Sequence, residues 1–260
     1  MGGFITIRSE KFSLTHYLCR VYNNCMRNIV ILLASGSGSR VGGEIPKQFI
    51  KLNSKYLFEY SLETFDKHVS IDEVLVVCHK DYIEFVRQVV RENCYKKVKR
   101  VLPGGDTRQE SVYNGIFSVS AETANILIHD SARPFVTNEM INRVLGALEH
   151  NSAVSTVVPA TDTMFTLDND GNVKTIPDRK ELYRVQTPQG FYLNTIRKAH
   201  HMAQKEGLNL ATDDCSLVLH YKLTDIATVC GDEIAFKVTT PADLMFAKGV
   251  LDNRAGFNAD

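Results

Sequence analysis

Short apolar runs alternate along the chain with longer stretches in which apolar residues recur at helical spacing. The short runs predict strands at residues 29–33, 74–78, 98–102, 126–129, 154–159 and 226–230. The longer stretches predict helices at residues 56–65, 82–92, 109–118, 138–150, 193–206, 213–220 and 241–251. This alternation is typical of a mostly parallel sheet with helices on both faces. We therefore predict an α/β, Rossmann-like fold.

One segment, residues 161–184, breaks the alternation. Asp-Asn-Asp-Gly at 168–171 separates two short runs of β-forming residues, at 164–167 and 173–176. A glycine-containing turn between two such runs predicts a β-hairpin. We expect this hairpin to protrude from the main sheet as an arm that pairs two subunits.

Composition narrows the class of protein. The chain has 260 residues, 44% of them hydrophobic, which suits one domain over residues 26–260. Thirty basic and 30 acidic residues give zero net charge, which argues against nucleic acid or an anionic membrane as a partner. No apolar run approaches the roughly 20 residues that span a bilayer. The six cysteines show no C-x-x-C spacing, so we expect neither a zinc site nor disulfide bonds. We therefore expect the protein to reside in the reducing cytoplasm.

Residues 1–25 differ from the rest of the chain. They mix apolar and basic residues and lack the continuous apolar region and cleavage site of a signal peptide. Met26 stands just before the first predicted strand. We expect an N-terminal extension that is disordered or not native, with a weak amphipathic helix as the alternative.

The loop after the first strand, from Leu33 to Lys47, is rich in glycine and serine. Glycines let backbone N–H groups approach an anion closely, and Arg40 and Lys47 can neutralise phosphate oxygens. No Gly-Lys-Ser/Thr ends the loop, and the glycine spacing does not fit G-x-G-x-x-G, which argues against a dinucleotide oxidoreductase. We expect a triphosphate here, with Mg²⁺ held by a carboxylate elsewhere.

Two further strand ends carry candidate chemistry. Asp130 follows the strand at 126–129, where a carboxylate can hold Mg²⁺ against phosphates; the alternative is a structural pair with Arg133 or a helix cap. After the strand at 98–102, a Gly104-Gly105 turn precedes Asp106 and Ser111. These two side chains can hydrogen-bond a base, and capping of the next helix explains Asp106 equally well.

A lysine, Lys237, stands in a late apolar segment that we predict to be a strand. Thr240 and Pro241 follow as the cap and first turn of a helix. A lysine among apolar residues is costly unless it meets an anion, so Lys237 and Lys47 can hold a phosphate from two sides. An edge-strand lysine that points to solvent is the alternative.

Six segments stand in the order found in one family. They are the loop at 34–49, Pro-Gly-Gly-Asp-Thr-Arg-Gln-Glu-Ser-Val at 103–112, His-Asp-Ser-Ala-Arg-Pro at 129–134, Gln-Thr-Pro-Gln-Gly-Phe at 186–191, Thr-Asp-Asp-Cys-Ser-Leu-Val at 212–218 and Lys-Val-Thr-Thr-Pro-Ala-Asp-Leu at 237–244. Over residues 26–251 the chain resembles the 2-C-methyl-D-erythritol 4-phosphate cytidylyltransferases and their relatives that act on ribitol 5-phosphate. Ser35 and Ser131 stand where that family usually has another small residue.

The resemblance implies a nucleotidyltransferase architecture of the glycosyltransferase-A type. It also implies that CTP and a polyol phosphate give a CDP-polyol and pyrophosphate, with Mg²⁺ on Asp130. Arg40, Lys47 and Lys237 would then stabilise the triphosphate and the transition state. The nucleotide would contact Ala34, Ser35, Gly36 and Gly38 of the first loop, and Gly105, Asp106 and Ser111 would contact cytosine.

The resemblance further implies a homodimer in which the arm of one protomer reaches the site of the other. Thr163 and Arg179 on the arm, with Arg133, Thr187 and Thr212 nearby, would bind the acceptor phosphate. We expect 2-C-methyl-D-erythritol 4-phosphate as the acceptor, with ribitol 5-phosphate as the alternative. A catalytically silent nucleotide-binding subunit is the remaining hypothesis, and a complete set of basic residues argues against it.

Overall fold

A seven-stranded sheet forms the centre of the computed structural model, which describes residues 26–36, 45–209 and 213–257. The strands are β1 (Arg27–Ala34), β2 (Lys51–Leu52), β3 (Lys55–Tyr56), β4 (Glu73–Cys78), β5 (Val98–Pro103), β6 (Ala124–Asp130), β7 (Ala153–Pro159), β8 (Thr166–Leu167), β9 (Val173–Thr175), β10 (Tyr183–Tyr192) and β11 (Ala227–Cys230). The helices are α1 (Leu57–Lys67), α2 (Ile83–Glu92), α3 (Arg108–Ser118), α4 (Asn138–Leu148), α5 (Leu193–Glu206), α6 (Asp214–His220) and α7 (Pro241–Phe257).

The sheet order is β11-β7-β10-β6-β1-β4-β5. β1 pairs in parallel with β4 and β6, β4 with β5, and β7 with β11, which confirms the mostly parallel sheet. β10 is antiparallel to both β6 and β7 and was not predicted. Its Pro188 and Gly190 mark a poor strand former by composition, and its register with β7 shifts between Gln186 and Gly190. Neighbouring strands nevertheless hold it in the centre of the sheet.

Two apolar layers cover the two faces of this sheet. On one face, α1, α2 and α4 contribute buried side chains such as Phe58, Phe65 and Ile141. On the other face, α3, α5 and α6 contribute Ile116, Ile196 and Val218. Each such large apolar side chain contributes about 1.5–3 kcal/mol when fully buried. The strands are therefore fixed from both sides, and their ends are rigid supports for loops.

Helix caps define where the loops at the strand ends stop. Thr107 caps α3 in a reciprocal arrangement with Glu110, and Thr137 accepts a hydrogen bond from Met140 N at the start of α4. Asp213 caps α6 by accepting from Ser216 N, and Thr240 Oγ1 accepts from Asp243 N at 3.2 Å at the start of α7. Each cap of this kind stabilises a helix by about 1 kcal/mol. The cap that we predicted at Thr240 is confirmed, whereas the cap of α3 is Thr107 and not Asp106.

The predicted arm is present as an antiparallel hairpin of β8 and β9. Asp168 Oδ1 accepts hydrogen bonds from Asp170 N and Asn172 N, and Gly171 adopts a φ of +84°, which favours glycine. Several large apolar side chains on and beside the hairpin are exposed to solvent: Met164, Phe165, Leu167, Val173, Ile176, Tyr183 and Val185. A hairpin of this kind buries little surface within one chain.

Within the residues that the structure covers, every helix is too short or too polar to cross a membrane. The N-terminal extension predicted at residues 1–25 lies outside the described residues.

Candidate active site

The loops that follow β1, β5 and β6 meet at one edge of the sheet. Ser131, just after β6, donates from both its backbone N and its Oγ to the carbonyl of Leu33 on β1, at 3.0 and 2.7 Å. Gly104 N donates to Cys78 O at the end of β4, at 2.8 Å. Parallel strands bring their carboxyl ends together, and ligands bind at such edges in open α/β sheets. The described candidate residues on these three loops therefore lie close together.

Ser111 links the loops after β1 and β5. Its hydroxyl accepts from Ser35 Oγ at 2.8 Å and from Gly105 N at 3.1 Å, and it donates to Thr107 O at 2.9 Å. A Cβ added to Gly104 would lie 2.5 Å from Ser35 Cβ, so only glycine allows this approach. The structure thus brings Ser35, Gly105 and Ser111 together, and the Ser111 hydroxyl binds protein groups. Their contact with the nucleotide stays a prediction.

Asp130, the last residue of β6, is the centre of a charged cluster. Its Oδ1 accepts from Arg108 Nε at 3.1 Å, and its Oδ2 accepts from Lys237 Nζ at 2.7 Å. Burial would raise the pKa of the Asp130 carboxyl, but Arg108 and Lys237 hold it well below its usual range. Asp130 is therefore ionised, and its ion-pair partners among the described residues are Arg108 and Lys237 in place of the Arg133 that we considered.

Arg108 pairs with two carboxylates at once and was missing from the predicted site. Besides Asp130, its Nη1 lies 2.8 Å from Oδ2 of the buried Asp214. Burial disfavours the guanidinium, yet Asp214 and Asp130 raise the pKa of Arg108 above its ordinary value. The sequence offered one signal, since Arg108 belongs to the glycine-turn segment at 103–112. The distance from Arg108 to Asp214 along the chain hid their contact.

His129 and Thr187 fix the backbone beside Asp130. Asp130 N donates to Thr187 Oγ1 at 3.2 Å, and Thr187 Oγ1 lies 3.0 Å from His129 Nδ1. His129 Nε2 lies 3.0 Å from Arg133 O, which only accepts, so Nε2 carries the proton and Nδ1 accepts from Thr187. Burial lowers the pKa of His129 to about 4. The imidazole thus acts as an uncharged connector near neutral pH.

Lys237 lies in a loop, not in a strand as we predicted. The loop is extended because its hydrogen bonds go to the site: Val238 N donates to Ala132 O at 2.8 Å, and Lys47 Nζ donates to Val238 O at 2.7 Å. Arg133 donates to Ala235 O at 3.1 Å and to Val185 O at 3.0 Å. Lys47 therefore contacts the residue next to Lys237, although Lys47 is buried and does not line the cavity described below. That the two lysines hold one phosphate stays a prediction.

A cavity of about 250 Å³ opens beside this cluster. It is lined by Arg108, Asp130, Arg133, Val185, Gln186, Thr187, Gln189, Asp213 and Lys237. Asp130, Arg133, Thr187 and Lys237 were predicted site residues; Arg108, Gln189 and Asp213 were not. Its lining combines three cationic side chains with two carboxylates, which suits a phosphate-bearing ligand.

Other predicted residues lie elsewhere. Thr163 and Arg179 are exposed on the arm, where Arg179 Nη1 donates to Thr161 O at 3.2 Å, and neither lines the cavity. Asp106 is exposed beside Gly105, and Ala34 and Gly36 lie at the end of β1. Gly38, Arg40 and Thr212 lie outside the described residues.

Comparison with known proteins gives the family. The model of the family described as IspD, 2-C-methyl-D-erythritol 4-phosphate cytidylyltransferase, matches residues 28–253. A ribitol-5-phosphate cytidylyltransferase of Vibrio parahaemolyticus is 35% identical over 231 residues, which cover 87% of this chain and 97% of that protein. A 2-C-methyl-D-erythritol 4-phosphate cytidylyltransferase of Clostridium botulinum (strain 657 / Type Ba4) is 36% identical over 227 residues, covering 87% and 98%.

Solved structures agree with the fold. The 4-diphosphocytidyl-2C-methyl-D-erythritol synthase of Anaerococcus prevotii superposes with a TM-score of 0.78 at 28% identity and covers 87% of this chain and 96% of that one. The 2-C-methyl-D-erythritol 4-phosphate cytidylyltransferase of Thermus thermophilus gives 0.69 at 31% identity, covering 85% and 98%. The family match over residues 28–253 argues against a dinucleotide oxidoreductase. The chain belongs to the 2-C-methyl-D-erythritol 4-phosphate cytidylyltransferase family and is a CTP-dependent nucleotidyltransferase.

Proposed function

We propose that the chain transfers the cytidylyl group of CTP to 2-C-methyl-D-erythritol 4-phosphate at the cavity beside Asp130, as a Mg²⁺-dependent homodimer. The observation that carries the site is the charged cluster itself. Lys237 and Arg108 flank one ionised carboxylate at the carboxyl edge of the sheet, and Lys47 reaches the same loop as Lys237. Such a cluster suits a reaction that moves negative charge between phosphates.

For this reaction the protein mainly needs to position the two substrates and to supply fixed positive charge. An oxygen of the acceptor phosphate attacks the α-phosphorus of CTP, a new P–O bond forms, and the bond to the β-phosphate breaks to release pyrophosphate. Charge grows on the leaving group, so cations held in place lower the barrier and no covalent nucleophile is needed. Lys237 and Lys47 supply fixed positive charge in this proposal. Arg40 would add to it, a role that rests on the family resemblance.

Asp130 suits a metal that arrives with the nucleotide. Among the described residues no group of three or more His, Cys, Asp or Glu side chains forms a metal site of its own. Mg²⁺ usually binds one or two carboxylates, with phosphates and water as its other ligands. Arg108 and Lys237 occupy two of the roughly four lone-pair positions of the Asp130 carboxylate, so about two positions remain for a metal ion. Bound Mg²⁺ would neutralise part of the triphosphate charge.

The acceptor separates two candidate functions. The family model and the Clostridium relative carry the name of methylerythritol phosphate, and they support our first choice. The Vibrio relative, 35% identical, is named for ribitol 5-phosphate and supports the second. Transfer to ribitol 5-phosphate would make CDP-ribitol by the same chemistry.

Separate assays with each of the two acceptors test this choice. Purified full-length protein is incubated with CTP, Mg²⁺ and either polyol phosphate, and pyrophosphate release is measured. We expect the larger kcat/KM with 2-C-methyl-D-erythritol 4-phosphate. A larger kcat/KM with ribitol 5-phosphate would reverse the choice, and release with neither would refute both. Omission of Mg²⁺, with a chelator present, should abolish turnover.

The arm supports the homodimer. Leu167, Val173 and Ile176 are 57, 52 and 62% exposed, and contiguous exposed apolar side chains mark interaction sites. In a dimer, Thr163 and Arg179 of one arm would reach the acceptor at the other subunit, as the family resemblance implies. We also infer a cytoplasmic location, which is supported by the free thiols of Cys78, Cys94, Cys215 and Cys230.

A further inference from the structure

A buried network of charged and polar side chains extends from Asp130 into the protein. Arg108 contacts Asp130 with Nε and Asp214 with Nη1. Asp214 Oδ1 accepts from His200 Nε2 at 3.2 Å, and both of these side chains are only 1% exposed. The four residues come from β6, α3, α6 and α5. This network therefore joins the end of a central strand to three helices on one face of the sheet.

The surroundings of the His200 ring determine which of its nitrogens donates a hydrogen bond to Asp214. His200 Nδ1 is buried and has no hydrogen-bond partner within the described part of the protein. A proton on Nδ1 would thus leave a buried donor unpaired, which is costly, so Nε2 carries the proton that is donated to Asp214. His200 orients Asp214 by this bond, and Arg108 compensates the charge of Asp214.

Asp214 is held from a second side as well. Its backbone N donates to Gln189 Oε1 at 3.2 Å, and Gln189 Nε2 donates to Asp213 Oδ2 at 2.6 Å. The first turn of α6 is thereby tied to β10. Asp214 consequently has little freedom to follow Arg108, so Arg108 must follow Asp214.

We propose that Asp214, oriented by His200, is a positioning residue that acts through Arg108 to fix the Asp130 carboxylate for cytidylyl transfer. Arg108 holds Oδ1 of Asp130, which turns Oδ2 toward Lys237 and the cavity. Without Asp214, the Arg108 guanidinium would pair with Asp130 alone. It would then compete with the nucleotide-bound cation for the carboxylate oxygens of Asp130. This inference rests on the role of Asp130 in the proposed function.

A double-mutant cycle on the full-length protein tests it. Asp214→Asn keeps the size of the side chain and removes its charge, and we expect kcat to fall about 10- to 100-fold, the usual range for residues that orient a metal ligand. If Asp214 acts through Asp130, the Asp214→Asn, Asp130→Asn double variant will be no slower than Asp130→Asn alone. A purely structural loss would multiply with the Asp130→Asn loss, and that result would overturn the proposal.

Further variants keep the cycle decisive. Arg108→Lys retains a positive charge that cannot contact both carboxylates, and it should show the same non-additivity if Asp214→Asn does not fold. His200→Gln keeps an N–H donor and should retain most activity, whereas His200→Leu should behave like Asp214→Asn. His201→Leu, at the exposed neighbouring position, is the matched control and should match wild type.

Two readouts separate the inference from the proposed function. If Asp130→Asn turns over too slowly to measure, the dissociation constant of Mg²⁺-CTP from calorimetry replaces kcat in the same cycle. Wild-type activity in Asp130→Asn would refute the role of that carboxylate in the proposed function. Wild-type activity in Asp214→Asn, beside an impaired Asp130→Asn, would refute only the inference drawn here about Asp214.

Discussion

The Asp130 cluster and the arm serve one proposed active site, yet they are built in opposite ways. Asp130, Arg108, Asp214 and Lys237 find opposite charges within their own chain. On the arm, Leu167 and Ile176 are each more than half exposed to solvent. The ion pairs of the cluster therefore form within one chain, whereas these apolar side chains of the arm have no cover among the described residues. In the proposed homodimer a second copy would cover them.

The largest effect is expected at Lys237, the most exposed member of the cluster. Lys237→Ala should lower kcat/KM by about 10²- to 10³-fold, because one fixed charge that stabilises a transition state is worth that much. Its side chain is 36% exposed, so folding should survive, as measured by circular dichroism. Lys248→Ala, which removes an exposed lysine of α7, is the control and should retain wild-type turnover. A Lys237→Ala enzyme as active as this control would remove Lys237 from the mechanism.

A pH effect on stability should come from His129. Its pKa is about 4 in the folded protein, against an ordinary value of 6.5. The unfolded chain therefore binds the proton more readily in this window, and stability should fall as the pH drops from about 6.5 to 4. Between pH 7 and pH 5 the loss should be about 2 kcal/mol, at 1.36 kcal/mol per pH unit.

Urea unfolding at the two pH values measures this loss, and His129→Asn is the variant to compare. The lowered pKa values of Asp130 and Asp214 act in the same direction, but only below their ordinary pKa of 3.8. His129→Asn should therefore lose about 2 kcal/mol less than wild type between pH 7 and pH 5. An identical loss in both proteins would show that His129 is not the source of this pH dependence.

The arm should respond through association. Leu167→Asp combined with Ile176→Asp places two charges on the exposed apolar surface and should convert a dimer into a monomer of about 29.2 kDa in light scattering. The KM for the acceptor should rise about tenfold, the effect of 1.4 kcal/mol of lost contact. Met245→Asp, at a 77% exposed position on α7, should stay dimeric. A wild-type protein that is already monomeric would refute the dimer.

The smallest effect concerns a helix start beside the cluster. Thr107→Ala removes the cap of α3 and should lower the free energy of unfolding by about 1 kcal/mol, measured in urea. Thr107→Ser retains a hydroxyl and should restore most of this. Equal stability of the two variants would show that the cap does not support the loop that carries Gly105 and Arg108.

The fold was predictable where periodicity is strong, as in β1, β4 and α5, because burial on one or both faces imposes a regular pattern. β10 escaped prediction because Pro188 is a poor strand residue, and its place depends on pairing with β6 and β7. Lys237 was assigned to a strand because its neighbours are apolar, but Ala132 and Lys47 bind the backbone of that segment instead.

The site was predictable where a residue follows a strand, as Asp130 does. Arg108 was missed because its importance depends on Asp214, which lies 106 positions later and reaches it through the packing of α6 on α5 and its ties to β10. Similarly, nothing in the sequence shows that Ser111 binds Ser35, since only the close approach allowed by Gly104 brings those loops together. Long-range contacts of this kind follow from tertiary packing and not from local pattern.

Phosphorus NMR of a single reaction tests the central claim most directly. The full-length protein is mixed with CTP, Mg²⁺ and 2-C-methyl-D-erythritol 4-phosphate, and Lys237→Ala is run in parallel. Wild type should convert the CTP signals into those of pyrophosphate and a CDP-polyol in equal amounts, while Lys237→Ala should leave CTP almost unchanged. CTP that stays intact with wild type, or that is cleaved to CMP and pyrophosphate without a diphosphate diester, would contradict it.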